Sequence, residues 1–540
     1  MSQEPAATPT DHRTPDPAVG EPNTKLRLIV GAVAAVYAVV SVWRGLVPSV
    51  KGSWGNLPAE PSGAEKVYAV ITGIDGWVWS TWLLIPLLAI TGVVLTVMLR
   101  GIQFTKLWPA LRLGLVTRKD QGATGDISHY QALTTALAAT VGVGNIAGVA
   151  TAIGVGGPGA LFWMWVTGIL GMASKYSEAF LGSRFRVTDP KGDQFGGPQV
   201  YLQRGIKGHL GKFLALSFAV FGALAAFGIG NMTQVNTVAT QLQSNFHISP
   251  YITGVAVVLF VGLVLVGGIQ RIGKVTAGFV PMMIIFYIVG GLIVICLNIT
   301  QIPHAFALVF HDAFTGTAAA GGFVGSTLAL AIQKGMARGI FSNESGMGSA
   351  AIVAAAAKTT HPVRQGLVSM TQTFIDTIIV VSFTGIVLIC TNSWQSADTY
   401  SGAGLTSFAF NNAAHGLGQV GSWIVAISVV FFALSTVLGW SYYGERCAIR
   451  LVGIKGQLPY RLLFTVVCFV GAFAATLDAR VDGDALLGLN MVWDTADILN
   501  GLMALPNLIG LLVLSGFIAR ETKQYLAQDP HLMATVVPKE

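Results

Sequence analysis

Long apolar runs of roughly 20 residues alternate with short polar loops over most of this chain, the length that lets an α-helix cross a bilayer. Barrel strands would instead alternate apolar and polar positions over short segments, and these runs do not. The pattern predicts eleven spans, at 77–99, 131–155, 160–182, 213–243, 251–268, 275–297, 324–357, 367–390, 423–447, 462–476 and 498–518. Residues 1–24 are rich in Pro, Asp and Thr and are expected to be disordered. A leading apolar segment, 25–47, opens with Lys25 and Arg27 and reads either as signal-like or as an extra helix. The membrane domain is expected over 76–520, with 521–540 a short tail.

The loops test this count. Those after the first, third, fifth, seventh, ninth and eleventh spans carry the basic residues, including Arg100, Lys106, Arg184, Arg186, Arg271, Lys274, Lys358, Arg364, Arg446, Arg450, Arg520 and Lys523. The intervening loops are nearly bare, with Arg480 alone among those after the second, fourth, sixth, eighth and tenth spans. Positive-inside alternation of this kind supports the count and puts the C-terminus in the cytoplasm.

Two spans are punctuated by residues that unwind helices. "ATVGVGNIAGVATAIGVGGPG", residues 139–159, is one-third glycine with a single asparagine, Asn145. "KGMARGIFSNESGMGSAAIVAAAA", residues 334–357, interrupts the seventh span. Each opens a group of five spans, and because five is odd the two groups must have opposite orientation in the bilayer. Paired interrupted helices in inverted halves point to a binding site at the breaks, where freed amide and carbonyl groups need a partner. Gly144 and Gly148 would also suit close helix packing, but packing does not account for the adjacent asparagine or for a second break. The G-x-G-x-x-G match at Gly154, Gly156 and Gly159 lacks a flanking strand and does not read as a nucleotide site.

Ionisable and polar groups at membrane depth are functional candidates, with helix pairing as the alternative. Lys175 and Glu178, three apart on one helix face, read as a structural pair. Lys334, Arg338 and Glu344 surround the second break as a gate or as a static network. Asp376 in "TFIDT" is a candidate for ion coupling or for pairing. Asn231 and Gln234 share a face of the fourth span and read as solute contacts, while Ser435, Thr436 and Trp440 offer hydroxyls and a wall in the ninth.

Composition narrows the class. The 540 residues are 53% hydrophobic and 11% charged, with mean hydropathy +0.65, against about 25% charged in a soluble domain. A net charge of +7 would suggest nucleic acid in a soluble chain, but here its distribution among loops explains it. Cys296, Cys390, Cys447 and Cys468 lie in or beside apolar runs without metal-ligand spacing and read as packed thiols. No Walker lysine motif, zinc spacing or nucleophile elbow occurs, so no enzyme is expected, no cofactor is called for, and any pumping must draw on an ion gradient.

The segments "ALTTALAATVGVGNIAGVATAIGVGGPGALFWMW", "GGPQVYLQRG", "RGIFSNESGMGSA" and "GWSYYGER" together resemble the alanine or glycine:cation symporter family, the sodium:alanine symporters. The resemblance covers nearly all of 77–518. It implies a leucine-transporter-like 5+5 inverted repeat with broken second and seventh spans, taking up alanine or glycine with Na⁺, or in some members H⁺, across a bacterial or archaeal inner membrane. It implies that Asn145, Gly144 and Gln234 hold the amino acid's polar groups, and that Phe341, Thr436 and Trp440 shape the side-chain pocket. By analogy with the fold, Na⁺ would sit on oxygens near Ala139, Gly142 and Ser435. Arg338, Glu344 and Asp376 are the gating or coupling candidates. Gln199, Val200 and Ala351 stand where the family usually has other residues. A proton-coupled symporter and an uncoupled channel remain the alternatives, and no residue speaks to oligomeric state.

Overall fold

The computed structural model of this chain describes residues 41, 45–55, 57, 61–80, 82–118, 120, 122–315, 328–411, 417–478, 484–530 and 532. The expected disordered terminus (1–24) and nearly all of the leading segment (25–47) lie outside them. The described chain is helical apart from loops and one hairpin, Val187–Thr188 with Gln194–Phe195.

The spans follow the apolar runs, with shifted ends. The first is Leu84–Met98, preceded by a separate helix, Gly63–Val78. The expected start at residue 77 is therefore corrected. The Ser80 hydroxyl donates to the Trp77 carbonyl at 2.6 Å and accepts from the Trp82 amide at 3.0 Å, local bonding that competes with a continuous helix. The third span is Gly159–Arg184, the fourth His209–Phe246 and the fifth Pro250–Leu265. The sixth begins at Gly268 and runs to Leu297, so Arg271 and Lys274 ride on its first turns instead of in a loop. The eighth, ninth, tenth and eleventh are Pro362–Cys390, Gln419–Val452, Gln457–Asp478 and Asp484–Gln528. Helices Ile302–Thr315 and Gly402–Asn411 occupy segments read as loop.

Six of these helices are long and apolar enough to cross a membrane alone, and the bent second span makes a seventh. The first and fifth are apolar but short of the length needed to cross alone, and the third falls short for another reason. The third span buries Lys175, Ser177 and Glu178 among its neighbours, so its polar residues face protein while lipid-facing helices carry the hydrophobicity. The sixth, with Ile285, Val289 and Ile293 exposed, and the tenth, with Leu462 and Val466 exposed, form that outer surface.

The end of the molecule that carries the basic loops is tied together. Arg364 at the start of the eighth span donates to both oxygens of Asp120, at 2.8 Å and 2.9 Å, and pairs with Asp529 at 3.6 Å. Burial opposes ionisation of Asp120, but hydrogen bonds from His129 and Arg364 hold its carboxyl well below the usual range. The last helix continues through Gln528, and its Tyr525 packs onto this cluster.

Candidate functional site

The second span is His129–Thr140 followed by Val143–Gly156, bent by 64°. In an unbroken helix the Gly142 amide would bond to the Ala138 carbonyl. Here it donates to the Thr140 carbonyl at 2.8 Å and to Asn145 Oδ1 at 3.0 Å. Glycine is required there, because a Cβ would lie 2.5 Å from Thr436 Oγ1. The Asn145 carbonyl accepts from Thr384 (2.8 Å), and the Ile146 carbonyl accepts from Thr406 (3.1 Å) as well as from the Ala150 amide (3.3 Å). The amides of Val143, Gly144 and Ala147 open the second half-helix, which receives no side-chain cap. One face of this break is closed by protein hydroxyls and the other offers N–H groups.

The seventh span is Leu328–Asn343, an unwound stretch 344–348, then Ser349–Ala355. Glu344, Gly346 and Gly348 adopt φ of +53°, +92° and +87°, left-handed conformations that glycine takes freely and glutamate only under constraint. Lys175 Nζ donates to the Glu344 carbonyl at 2.9 Å. Glu178 Oε1 accepts from the Gly348 amide (2.9 Å) and from Asn507 Nδ2 (2.8 Å), which also reaches the Gly346 carbonyl at 2.8 Å. The Glu344 carboxylate accepts from Trp440 Nε1 at 2.8 Å and from the Ser349 hydroxyl. Lys175 and Glu178, 3.8 Å apart, thus serve the second break as well as each other.

The two breaks meet. A Cβ on Gly144 would lie 3.5 Å from Phe341 and 3.7 Å from the Ser342 Cα. Asp376, fully buried on the eighth span, accepts from Asn145 Nδ2 (2.8 Å), Ser342 Oγ (3.0 Å) and Thr377 Oγ1 (2.8 Å), joining the first break to the helix that ends at the second. Gln234 follows a π turn, Gly228–Met232, and its Nε2 donates to the Ile229 carbonyl at 3.0 Å. Its Oε1 is buried with no partner and faces Gly142 at 3.5 Å from the Cβ position. Trp440 lies against Gly230.

The structure therefore sorts the expected residues into three neighbouring groups: Gly142, Gln234 and Thr436; Gly144, Asn145, Phe341 and Asp376; and Glu344 with Trp440. The Arg338 guanidinium lies 5.5 Å from the Phe341 ring centre, while the Glu344 carboxylate is bonded to Trp440 and Ser349. Asn231 donates to the Phe464 carbonyl at 2.7 Å and so braces two helices.

Around the expected cation position the hydroxyls of Ser435 and Thr436 meet two carbonyls. Ser435 Oγ lies 3.2 Å from the Ala138 carbonyl and 2.8 Å from that of Phe432, and Thr436 Oγ1 lies 3.1 Å from each. The carbonyl nearest these hydroxyls in the Ala139 region is that of Ala138, while the Ala139 Cα and N pack against Gly439. The Gly142 carbonyl is taken by the Asn145 amide at 3.1 Å. Two carbonyls and two hydroxyls, with no thiolate or imidazole, form an oxygen-only donor set that fits a hard cation such as Na⁺. The hydroxyls can rotate their protons away and present lone pairs.

With this geometry in place, comparison with known proteins is decisive. The profile of the sodium:alanine symporter family matches residues 64–537. The chain belongs to the sodium:alanine symporter family. It is similar to the sodium/alanine symporter AgcS of Methanococcus maripaludis, with 49% identity over 460 residues that cover 85% of this chain and 97% of the relative. It is also 34% identical to the probable sodium/glutamine symporter GlnT of Bacillus subtilis, over 86% of this chain and 92% of that one. Among solved structures, MhsT in complex with L-phenylalanine matches with TM-score 0.51 at 13% identity, covering 76% of this chain and 99% of that one. The fold of this sodium:alanine symporter family member is thus the leucine-transporter-like inverted repeat. The protein is a membrane transporter and not an enzyme.

Sequence reasoning missed Ala138, Phe432, Ser342, Thr384 and Asn507. For Asn507 the signal was present, an amide inside the apolar run "ALPNLIG". Ser342 sits in "FSNES" beside the break. Backbone oxygens such as those of Ala138 and Phe432 leave no trace in residue type.

Proposed function

We propose that the chain accumulates a small neutral amino acid, alanine or glycine, together with Na⁺ by alternating access. Its membrane domain spans 76–520 and its C-terminus lies on the cytoplasmic side of the plasma membrane. The observation that carries this reading is a pair of groups of opposite character at the first break, the uncapped start of a half-helix and an unpartnered amide oxygen. The amides of Val143, Gly144 and Ala147, at the positive end of a half-helix, suit a carboxylate. The buried, unpartnered Gln234 Oε1 suits an ammonium. A zwitterion meets both, and with Phe341 close over Gly144 only a short side chain is accommodated.

In this reading Gly144 and Gln234 contact the substrate, while Phe341, Thr436 and Trp440 bound it. Asn145 acts through the backbone, its side chain holding the break to Asp376. Na⁺ takes the oxygens of Ala138, Phe432, Ser435 and Thr436, next to Gly142 and hence next to the substrate. Each ligand then raises the affinity of the other by an equal factor. At about −100 mV one inward charge contributes about 2.3 kcal/mol, tens of fold in accumulation, before any concentration gradient of Na⁺ is added.

The test is radiolabelled alanine uptake into proteoliposomes. An inward Na⁺ gradient should drive accumulation above the external concentration, and choline in its place should abolish it. Equal uptake with choline, or equilibration without accumulation, would refute Na⁺-coupled symport.

A further inference from the structure

A second cavity, about 130 Å³, lies on the side of the two breaks opposite the basic loops. It is lined by Asp75, Trp79, Lys334, Arg338, Phe341 and Asp497, among others. Lys334, Arg338 and Phe341 are spaced i, i+4 and i+7 and so share one helix face. Trp79 comes from the turn before the first span, donates its indole N–H to the Asp497 carbonyl at 3.2 Å, and meets Phe341 edge-on at 6.4 Å. Phe341 thus has this cavity on one side and Gly144 on the other.

The charges are what need explaining. Two cations and two anions line one small cavity, yet among the described residues no salt bridge joins any of them, and Asp75 Oδ1 is buried without a partner. Four facing charges left unpaired are unfavourable unless something in the cavity completes them. Their sum is zero, so a lone anion or cation would satisfy one pair and leave the other, whereas a zwitterion satisfies both.

We propose that this cavity is a second, outer binding site for a small zwitterionic amino acid. Lys334 and Arg338 take the carboxylate, Asp75 and Asp497 take the ammonium, and the Trp79–Phe341 pair separates the site from the inner one. The inference rests on the reading of the chain as a small amino-acid carrier. It adds a station through which substrate passes before Phe341 moves.

The experiment is equilibrium binding of radiolabelled L-alanine to the full chain in lipid nanodiscs at saturating Na⁺. The wild type is expected to bind two molecules per chain. Arg338→Gln and Lys334→Gln should each bind one, with the remaining affinity unchanged, and raise the KM for uptake about ten-fold with little change in maximal rate. Gln234→Leu should also bind one, at the outer site. One molecule per wild-type chain, or two in both cation variants, would overturn the proposal. If the outer site is real and the inner assignment wrong, Gln234→Leu binds two while the cation variants bind one. If only the inner site exists, the cation variants match a one-site wild type and Gln234→Leu binds none. Retention of one bound alanine by either cation variant shows that it is folded.

Discussion

The two broken helices occupy equivalent places in the two halves, yet they are held in opposite ways. The first break is braced by neutral donors, Thr384 and Thr406, and by one carboxylate, Asp376, while the start of its second half-helix has no side-chain cap and the Gln234 oxygen has no partner among the described residues. The second is braced by Lys175, Glu178 and Asn507, and its glutamate is spoken for by Trp440 and Ser349. Each break is pinned by a helix from the other half: the eighth span holds the first break and the third span holds the second. A symmetric architecture has been given asymmetric chemistry, one break kept open for ligand and the other closed as scaffold.

The largest effect should come from breaking the scaffold. Lys175→Met leaves the Glu178 carboxylate without its counter-charge and the Glu344 carbonyl without its donor. Breaking a buried pair from one side costs about 3–5 kcal/mol, so the variant should show little monodisperse protein by fluorescence size exclusion. A wild-type yield and profile would mean that the second break does not depend on it.

Next is Asp376→Asn, which keeps the volume but turns an amide N–H toward donors from Asn145, Ser342 or Thr377. At about 1–3 kcal/mol for a buried group left unsatisfied, uptake should fall at least ten-fold while the protein remains folded, read in proteoliposomes beside its size-exclusion profile. Thr436→Val, an isosteric loss of one cation oxygen, should raise the Na⁺ concentration for half-maximal uptake about ten-fold and move the alanine KM at saturating Na⁺ much less. An unchanged Na⁺ dependence would remove Thr436 from the cation site. The smallest effect belongs to Gly144→Ala. Its added methyl would lie at ordinary contact distance from Phe341, so the fold survives. The methyl takes the room of one substrate carbon, about 0.8 kcal/mol, and the ratio of glycine to alanine uptake should rise several-fold.

The membrane architecture was legible in the sequence because bilayer thickness and loop charge act on whole segments, and both breaks were legible because glycine and asparagine are costly inside an apolar helix. The start of the first span was not, since Ser80 redirects the backbone through one local hydrogen bond. The helix Ile302–Thr315 was hidden by an amphipathic composition that reads as loop. Within the site, residue type pointed to Asn145 and Gln234 but could not separate their roles. Asn145 spends both ends of its amide on Gly142 and Asp376, whereas Gln234 keeps its oxygen free. Only the three-dimensional arrangement distinguishes a brace from a ligand-facing group.

The sharpest test of the open-break account is Na⁺-driven alanine uptake by Gln234→Leu in proteoliposomes, with folding verified by size exclusion. The substitution removes a buried acceptor facing Gly142 at the first break that has no partner among the described residues. Loss of a hydrogen bond to a charged group, about 1.5–3 kcal/mol, predicts an apparent alanine affinity ten- to hundred-fold weaker. Uptake by this variant at wild-type KM and rate would contradict the claim that the first break holds the substrate.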